Sequence, residues 1–323
     1  MSRYLLTGAA GFIAGRVAEL LLDAGHQVMG VDNMNPAYDV RMKTHRLERL
    51  QKRTGFAFIK LDISDRQGVA ALAELGQFAA VINLAARAGV RASVADPWVC
   101  VETNTIGTLN LLELCRTHSI HKFILASTSS VYGPDAPLPT PETAESARPL
   151  QPYAASKIGA ETMAYVYSVL HGIDVSVLRF FTVYGPAGRP DMSVFRFIRW
   201  ISEGEPVQLT GDGRQSRGFT YVDDIADGVL LALKDVGYEI INLGGHEEVR
   251  MDELIVRIEK QVGRKAEIEY LPFPPADMLA NLADVSKARR LLGWDPRVGI
   301  EEGLRRTIAW YNDEREWAAR LTI

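Results

Sequence analysis

Cysteine is scarce in this chain of 323 residues: it has two, Cys100 and Cys115. They do not form a Cys-x-x-Cys pair, and the six histidines do not cluster with the spacing of metal ligands. The sequence therefore predicts two reduced core thiols, no disulfide framework and no metal site.

Long hydrophobic runs and an excess of one charge are also lacking. No apolar run approaches the ~20 residues of a membrane span, and a strand-like run already begins at Arg3, which leaves no room for a signal peptide. The formal net charge is only -4, without long runs of one sign, so neither a nucleic acid nor a membrane is an expected partner. These features predict a soluble, cytoplasmic protein.

What the chain does contain is a regular alternation of strand and helix patterns in its first half. Apolar strand-like runs alternate with helical segments such as Gly11–Ala24, Pro97–His118 and Tyr153–His171. This alternation is typical of the α/β class, a doubly wound parallel sheet of the Rossmann type. We expect a nucleotide-binding domain over residues 1–180, with a returning segment near 220–245, and a smaller discontinuous substrate domain over 181–323.

A glycine-rich turn follows the first predicted strand and opens the first helix. Gly8 and Gly11 would let the backbone approach a pyrophosphate at the N-terminus of that helix. Asp32 closes the second strand, where a carboxylate accepts hydrogen bonds from a ribose and repels a 2′-phosphate, which favours NAD over NADP. Asp62-Ile63 and Leu84-Ala85-Ala86 close the third and fourth strands, as an adenine pocket and its floor would require. Arg16 is the one cation near that end, where it could weaken the preference for NAD; the favoured interpretation is a solvated residue of the helix.

Tyr153 and Lys157 form the sharpest chemical signal, since residues at i and i+4 share one face of a helix. A free tyrosine ionises near ~10, and a neighbouring ammonium lowers that pKa. The pair could then take a proton from a sugar hydroxyl while hydride leaves its carbon. The hydroxyl row Ser127-Thr128-Ser129-Ser130 follows the fifth strand, at the edge where such sheets bind ligands.

With these motifs, and with Arg179-Phe180-Phe181-Thr182-Val183-Tyr184-Gly185-Pro186, the chain resembles the extended short-chain dehydrogenase/reductase family over nearly its whole length. Within it, three stretches resemble the UDP-glucuronate 4-epimerases. They are Asp32-Asn33-Met34-Asn35 continuing through Tyr38-Asp39-Val40 to Lys43, Ala85 to Ser93, and Gly188-Arg189-Pro190-Asp191-Met192. The resemblance departs at Ala14, where a third glycine is usual, and at Gly218, where an acid is usual.

The resemblance implies a set of site residues. Thr128, Tyr153 and Lys157 would be catalytic, with Thr128 bonded to the reacting hydroxyl. NAD would be bound by Gly8, Gly11, Phe12, Ile13, Asp32, Asn33, Asp62, Ile63, Leu84, Ala85, Ala86, Asn104, Ser127, Tyr153, Lys157 and Val183. A UDP-sugar would be bound by Arg87, Gly89, Val90, Ser129, Ser130, Thr182, Arg189, Val194, Arg196, Leu209, Arg217 and Asp277, of which Arg217 and Asp277 match positions for the UDP phosphates and the uridine ribose.

The reaction that the resemblance implies is inversion of C4 of UDP-glucuronic acid to give UDP-galacturonic acid through a 4-keto intermediate. That intermediate is a β-keto acid that tends to lose CO2, so its carboxylate must be held. Arg189 or Arg87 could do this, together with hydroxyls of Thr128, Ser129, Ser130 and Thr182.

Several alternatives remain open at this point. A 4,6-dehydratase usually has an Asp-Glu pair where this chain has Ser129 and Ser130. UDP-glucuronate decarboxylase shares the substrate, and UDP-glucose/UDP-galactose 4-epimerase would need no cation for a carboxylate. A non-catalytic NAD-sensing protein would typically lack the Tyr/Lys pair. The resemblance also implies a homodimer, paired through the helices at Pro97–His118 and Tyr153–His171.

Overall fold

The computed structural model describes residues 1–245, 247–273 and 278–323, apart from the side chains of Val90 and Arg91. Its strands are β1 Arg3–Thr7, β2 Gln27–Asp32, β3 Phe56–Lys60, β4 Ala80–Asn83, β5 Lys122–Thr128, β6 Asp174–Phe180, β7 Thr182–Tyr184, β8 Val207–Thr210, β9 Ser216–Tyr221, β10 Tyr238–Leu243, β11 Glu247–Arg250 and β12 Ile268–Leu271.

Thirteen α-helical segments are present in the described part of the chain. They are α1 Phe12–Asp23, α2 Val40–Gln51, α3 Arg66–Ala71, α4 Val90–Ala95, α5 Pro97–Cys100, α6 Gly107–Thr117, α7 Pro152–His171, α8 Ser193–Glu203, α9 Val222–Leu231, α10 Met251–Val262, α11 Ser286–Leu292, α12 Ile300–Asp313 and α13 Arg315–Ala318. A π-helical turn at Val101–Ile106 joins α5 to α6, and 3-10 turns lie at Leu72–Leu75 and Ser129–Tyr132.

A seven-stranded parallel sheet carries the first half of the chain, in the order β10-β6-β5-β4-β1-β2-β3. Its strands are apolar on both sides because helices cover both faces. In β1, Leu5 packs with residues of α6 and α7, whereas the next residue, Leu6, packs with residues of α1 and α9. The strand order reverses between β1 and β4, which opens a crevice at the carboxyl ends of the strands.

The second half of the chain builds a smaller core beside those carboxyl ends. Apolar faces of α8, α10 and α12 pack there with two small sheets, of order β11-β9-β7 and β12-β8. The chain also returns to the large sheet, where β10 pairs with β6 and α9 packs on α1. Trp294 is buried in the core of the large sheet, and its indole N–H donates to the Asp224 carbonyl at 2.7 Å.

The predicted fold class is confirmed, and β10, which pairs with β6, lies in the segment near 220–245. The sequence alone did not predict α8, α11 or the small strands β7, β8, β9, β11 and β12. Those strands are three to six residues long, and runs of that length carry little periodicity. No helix of the described chain is long and apolar enough to cross a membrane.

Candidate active site

A cavity of about 730 Å³ lies between the carboxyl ends of the large sheet and the smaller core. It brings together most of the residues that the sequence singled out. These are Gly8, Gly11, Phe12, Ile13, Asp32, Asn33, Asp62, Ile63, Leu84, Ala85, Ala86, Gly89, Ser127, Thr128, Ser129, Ser130, Tyr153, Lys157, Thr182, Val183, Arg189, Arg196, Leu209 and Arg217.

The glycine-rich turn lines one end of this cavity with backbone atoms that no side chain covers. Gly8 has a φ of +71°, and a Cβ there would lie 2.9 Å from the backbone of Ala85. A Cβ at Gly11 would lie 2.7 Å from the Gly8 carbonyl oxygen. Ala14, in place of the third glycine, is buried without such conflict. A pyrophosphate fits this cradle because it can reach the amide groups at the start of α1.

Polar groups at the ends of β2 and β3 are tied to one another. The Asn33 amide donates to Asp62 at 2.7 Å, and the Met34 backbone N–H donates to Asp32 at 2.8 Å. Burial acts to raise the pKa of Asp62, but hydrogen bonds from Ser64 and Asn33 outweigh it and lower that pKa. The Asp62 carboxylate is thus charged at neutral pH, and these hydrogen bonds orient both carboxylates, as ribose and adenine recognition requires.

The cation beside Asp32 is Lys43, not Arg16. The Lys43 ammonium lies 3.3 Å from an Asp32 oxygen and is buried with it. Arg16 instead pairs with Glu19 and with Asp223 in α9, at 2.7 Å each. It therefore joins two helices instead of facing the cofactor end. The sequence shows that Arg16 lies a few residues after the glycine-rich turn, but it does not show towards which neighbouring element α1 directs the side chain.

Tyr153 and Lys157 both line the cavity from the first turns of α7. Enclosure by protein raises the pKa of the Tyr153 phenol, while a hydrogen bond with Thr128 and the charge of Arg189 oppose that rise. Lys157 is 2% exposed, and its ammonium donates to the Ala126 carbonyl at 2.8 Å. Burial lowers the pKa of Lys157 to about 8.

Arg189 is the cation that acts on the phenol in this arrangement. Asp191 holds its guanidinium through two contacts, of 3.0 and 2.6 Å. The Tyr38 ring lies 5.5 Å from it on another side. A guanidinium fixed in this way keeps its charge and geometry when a ligand enters.

The hydroxyl row begins where β5 ends. Thr128 accepts a hydrogen bond from the Ser130 backbone N–H at 3.2 Å, which starts the turn Ser129–Tyr132 and turns these side chains towards the cavity. Behind them, Ser127 donates to Glu161 at 2.5 Å, and Glu161 also binds Arg179 in the buried interior. Buried, mutually satisfied polar groups hold the row rigid.

The opposite end of the cavity is formed by the second half of the chain. Arg196 lies on α8, with its guanidinium 4.4 Å from the Trp200 ring centroid. Leu209 and Arg217 come from β8 and β9, and the Arg217 guanidinium donates to the Ser216 carbonyl at 2.7 Å. Two arginines facing one cavity end suit a diphosphate.

Among the described residues, three of the predicted ones do not line the cavity: Asn104, Arg87 and Val194. The Asn104 amide is occupied by the Arg87 backbone and by Ser156, at 2.9 Å each. Arg87 reaches towards Asn35, at 3.4 Å, and Val194 is buried in the smaller core. Asp277 and the side chain of Val90 lie outside the described residues.

The cavity also has lining residues that sequence reasoning missed as ligands. Asn35, Tyr38, Lys43 and Asp191 belong to stretches already quoted for the resemblance, so those stretches carried their signal. Others are Gln208, Gln215, Met251, Met278 and Asn281. They lie in segments without a local pattern, so only the folded chain brings them to the wall.

One cluster with possible metal-ligand geometry appears among the described residues, and the sequence did not predict it. Ligand atoms of His121, Asp174 and Asp235 lie within 4.8 Å of one another, at the amino ends of β5 and β6. Asp174 is already bound by the Lys122 ammonium and accepts the backbone N–H groups of Val236 and Gly237. This cluster fastens strand ends together, and it lies across the sheet from the cavity.

Comparison with known proteins agrees with this geometry. A model of the NAD dependent epimerase/dehydratase family matches residues 4–244. The chain belongs to this family. NAD is therefore its cofactor, and the protein is an enzyme of the nucleotide-sugar epimerase type.

Individual family members are similar over their full lengths. UDP-glucuronate 4-epimerase of Thermodesulfobacterium geofontis is 52% identical over 324 residues, covering 100% of both chains. The structure of UDP-glucuronic acid 4-epimerase from Bacillus cereus with UDP-glucuronic acid and NAD has a TM-score of 0.91 and 35% identity, covering 97% of this chain and 99% of that one.

A relative that is named for a different sugar nucleotide is equally similar in fold. The UDP-glucose 4-epimerase of Thermotoga maritima with UDP-glucose also has a TM-score of 0.91, with 32% identity over 97% of this chain and 99% of that one. The backbone therefore does not separate the two sugars. The discrimination must come from side chains in the cavity.

Proposed function

We propose that this protein inverts C4 of UDP-glucuronic acid to give UDP-galacturonic acid. The observation that carries the proposal is the placement of Arg189 and the row Thr128–Ser130 around Tyr153 in one cavity. Relatives that bear the name of this activity support it, at up to 52% identity over the whole chain.

NAD would be held at the sheet end of the cavity. Gly8 and Gly11 would receive its pyrophosphate, Asp32 the adenosine ribose, and Asp62 with Ile63 the adenine. Ser127, Lys157 and Val183 would lie beside the other half of the molecule. When bound, the cofactor supplies reversible two-electron chemistry at C4, by way of a 4-keto sugar.

Tyr153 is the group that would move the proton. Its phenolate accepts the proton of the C4 hydroxyl and later returns it to the C4 oxygen. Thr128, which is hydrogen-bonded to the phenol, orients that hydroxyl. The charge of Arg189 opposes the rise that burial causes in the pKa of the phenol and so favours the phenolate, and Lys157 lies in the same cavity.

The carboxylate of the sugar needs its own restraint because the keto intermediate is a β-keto acid. Hydroxyls of Ser129, Ser130 and Thr182 would donate to it, with Arg189 near its negative charge. Holding the carboxylate so that its C–C bond lies away from alignment with the keto group disfavours loss of CO2. The same groups would favour a uronic acid over a neutral sugar.

Two alternative reactions fit the cavity less well. In its described part, the lining carboxylates are Asp32, Asp62 and Asp191. The first two lie at the cofactor end, and Asp191 is held by Arg189, so none stands beside Thr128 as the decarboxylase pattern would require. With UDP-glucose, the Arg189 guanidinium, which Asp191 already pairs, and the hydroxyl row would have no substrate carboxylate to bind.

The proposal is tested with purified protein and UDP-glucuronic acid labelled with deuterium at C4, followed by NMR and mass spectrometry. We expect a product of unchanged mass, with the deuterium retained at an inverted C4. A UDP-pentose with release of CO2 would identify a decarboxylase. Turnover of UDP-glucose without turnover of UDP-glucuronic acid would refute the proposed substrate.

We further propose that the enzyme is a homodimer. Apolar side chains are exposed along two neighbouring helical segments, α5 to α6 and α7, including Trp98 at 76% and Leu170 at 68%. A patch this apolar is covered in most soluble proteins. The resemblance assigns a second copy of the chain to these helices. The two free thiols, Cys100 and Cys115, fit a reducing compartment, and we propose the cytoplasm.

A further inference from the structure

A segment near the cavity is held in place by backbone hydrogen bonds on two sides. We call residues 278–284 the strap. On one side, β9 donates from Ser216 to the Leu279 carbonyl at 2.9 Å and from Gly218 to the Asn281 carbonyl at 2.6 Å. On the other side, Thr140 donates to the Leu282 carbonyl at 2.8 Å. The strap is thus fixed without help from the Asn281 side chain.

Two glycines make room for the strap. A Cβ at Gly218 would overlap the backbone of Gly245. Gly245 in turn accepts a hydrogen bond from the Ala283 backbone N–H at 3.1 Å. The replacement of the usual acid by Gly218 therefore has a structural consequence, since any side chain there would push apart the turn that binds the strap.

The strap carries Asn281 to the hydroxyl row. The Asn281 amide donates to the Ser129 hydroxyl oxygen at 2.8 Å, and both residues line the cavity. Ser129 is buried, and it follows Thr128, which is bonded to the Tyr153 phenol. This contact joins residues 152 positions apart, and it places an amide donor beside the reacting end of the cavity.

The direction of this hydrogen bond decides what Ser129 offers a ligand. A hydroxyl has one proton and two acceptor sites. When its oxygen accepts from an amide, its own proton is available for an acceptor in the cavity. A carboxylate presents acceptors only, whereas a hydroxymethyl group also presents a donor. A Ser129 hydroxyl set as a donor is therefore matched to a carboxylate.

We propose that Asn281 determines specificity for the group at C6 of the sugar, by setting Ser129 as a hydrogen-bond donor to a carboxylate. The inference rests on the proposed function and deepens it. It adds a residue from the C-terminal part of the chain to the hydroxyls of the sheet end. The substrate preference then depends on a strap that the backbone of β9 holds.

The test is Asn281→Asp, which has nearly the same shape. An ionised aspartate only accepts hydrogen bonds. It would therefore accept a hydrogen bond from the Ser129 hydroxyl, which is then no longer a donor to the ligand, and it would add a negative charge near the carboxylate of the substrate. We expect kcat/KM for UDP-glucuronic acid to fall about 10- to 100-fold, mainly through KM. The inhibition constant of UDP-glucose, measured as a competitor, should change less than about threefold.

Two further variants serve as controls. Asn281→Ala removes the amide without adding charge, so its loss with UDP-glucuronic acid should be smaller than that of Asn281→Asp. It also carries the test if Asn281→Asp fails to fold. Asn312→Asp makes the same charge change at an exposed position of α12 and should leave both constants unchanged.

The outcomes separate the two proposals. A wild-type enzyme that does not epimerise UDP-glucuronic acid overturns the proposed function, and the inference with it. A wild-type enzyme that does so, with Asn281 variants that weaken both UDP-sugars equally, overturns the inference alone. Bound NAD and melting temperature are measured for each variant, and they should match those of the wild type.

Discussion

At the scale of single residues, the phenol of Tyr153 is controlled by its surroundings more than by its neighbour in sequence. The Lys157 ammonium is bonded to the Ala126 carbonyl, and the charge that lowers the pKa of the phenol comes from Arg189. Arg189 lies 36 residues further along the chain. The two cations therefore have different contacts, and substitutions of Tyr153 and Arg189 test the phenol and the charge that acts on it.

Replacing Tyr153 by phenylalanine removes the proton carrier but keeps the ring. We expect kcat to fall by about 10²- to 10⁴-fold, with NAD still bound, measured by coupled assay and by the absorbance of released cofactor. Tyr165→Phe is the matched control, since Tyr165 lies on the same helix and is exposed. Wild-type rates in Tyr153→Phe would exclude the assigned role.

Replacing Arg189 by glutamine removes a charge that lowers the pKa of Tyr153. Activity requires the phenolate, so it rises with pH as Tyr153 loses its proton. Without Arg189 that rise should move to higher pH, in a profile of log kcat against pH. Arg305→Gln, in an exposed ion pair of α12, should leave the profile in place. If the pH profile of Arg189→Gln is the same as that of the wild type, the charge of Arg189 does not affect the pKa of Tyr153.

At the scale of elements, the first βαβ unit contains two glycines that differ in how closely they are packed. At one of them a side chain would clash with its neighbours, and at the other it would not. Gly30 lies in β2, where a Cβ would come within 2.8 Å of Ala9 and Phe56 side-chain atoms. Gly15 lies inside α1, where a Cβ would meet its nearest neighbours at 3.8 Å. Replacement by alanine should therefore raise the free energy of unfolding at Gly15 and lower it at Gly30.

Gly15→Ala should stabilise the protein by about 0.5–1 kcal/mol, because alanine restricts the unfolded chain and favours helix. Gly30→Ala should destabilise it by about 1–3 kcal/mol through overpacking. Both are measured by denaturant unfolding of the cofactor-loaded enzyme. A destabilising Gly15→Ala would mean that α1 and α2 pack more tightly there than the structure has them.

A π-helical turn is the other informative element. It lies at Val101–Ile106 and contains Asn104, whose amide binds the Arg87 backbone and Ser156. Such turns widen a helix locally and are frequent near functional sites. Here the turn lets one side chain connect the end of β4 with the start of α7, and so helps to position Tyr153 without lining the cavity.

At the scale of the whole molecule, the apolar side chains exposed on α5, on the π-helical turn and on α7 predict a dimer. Val166→Glu places a charge in that face and should give the mass of one chain, 35.7 kDa, in light scattering, where the wild type gives twice that mass. Val256→Glu, at an exposed valine of α10, should leave the mass unchanged. A wild-type protein of single-chain mass would contradict the proposed dimer.

The fold class and the dinucleotide turn could be predicted because their signals are local. Gly8, Gly11 and Asp32 occupy fixed positions relative to buried strands, and a parallel sheet brings all its carboxyl ends to one edge. Tyr153 and Lys157 share a helix, so their spacing alone placed them together. For these residues, chain order and strand periodicity were sufficient.

The sequence by itself thus determined the sheet, the cofactor class and the shared helix of Tyr153 and Lys157. Only the tertiary structure decided the partner of each cation. Lys43 pairs with Asp32, Arg16 of α1 pairs with Asp223 of α9, and the charge of Arg189 acts on the phenol of Tyr153. It alone brought Asn281 to Ser129. The physical reason is that these contacts join segments whose relative direction depends on the packing of two cores, and no periodicity within either segment records that direction.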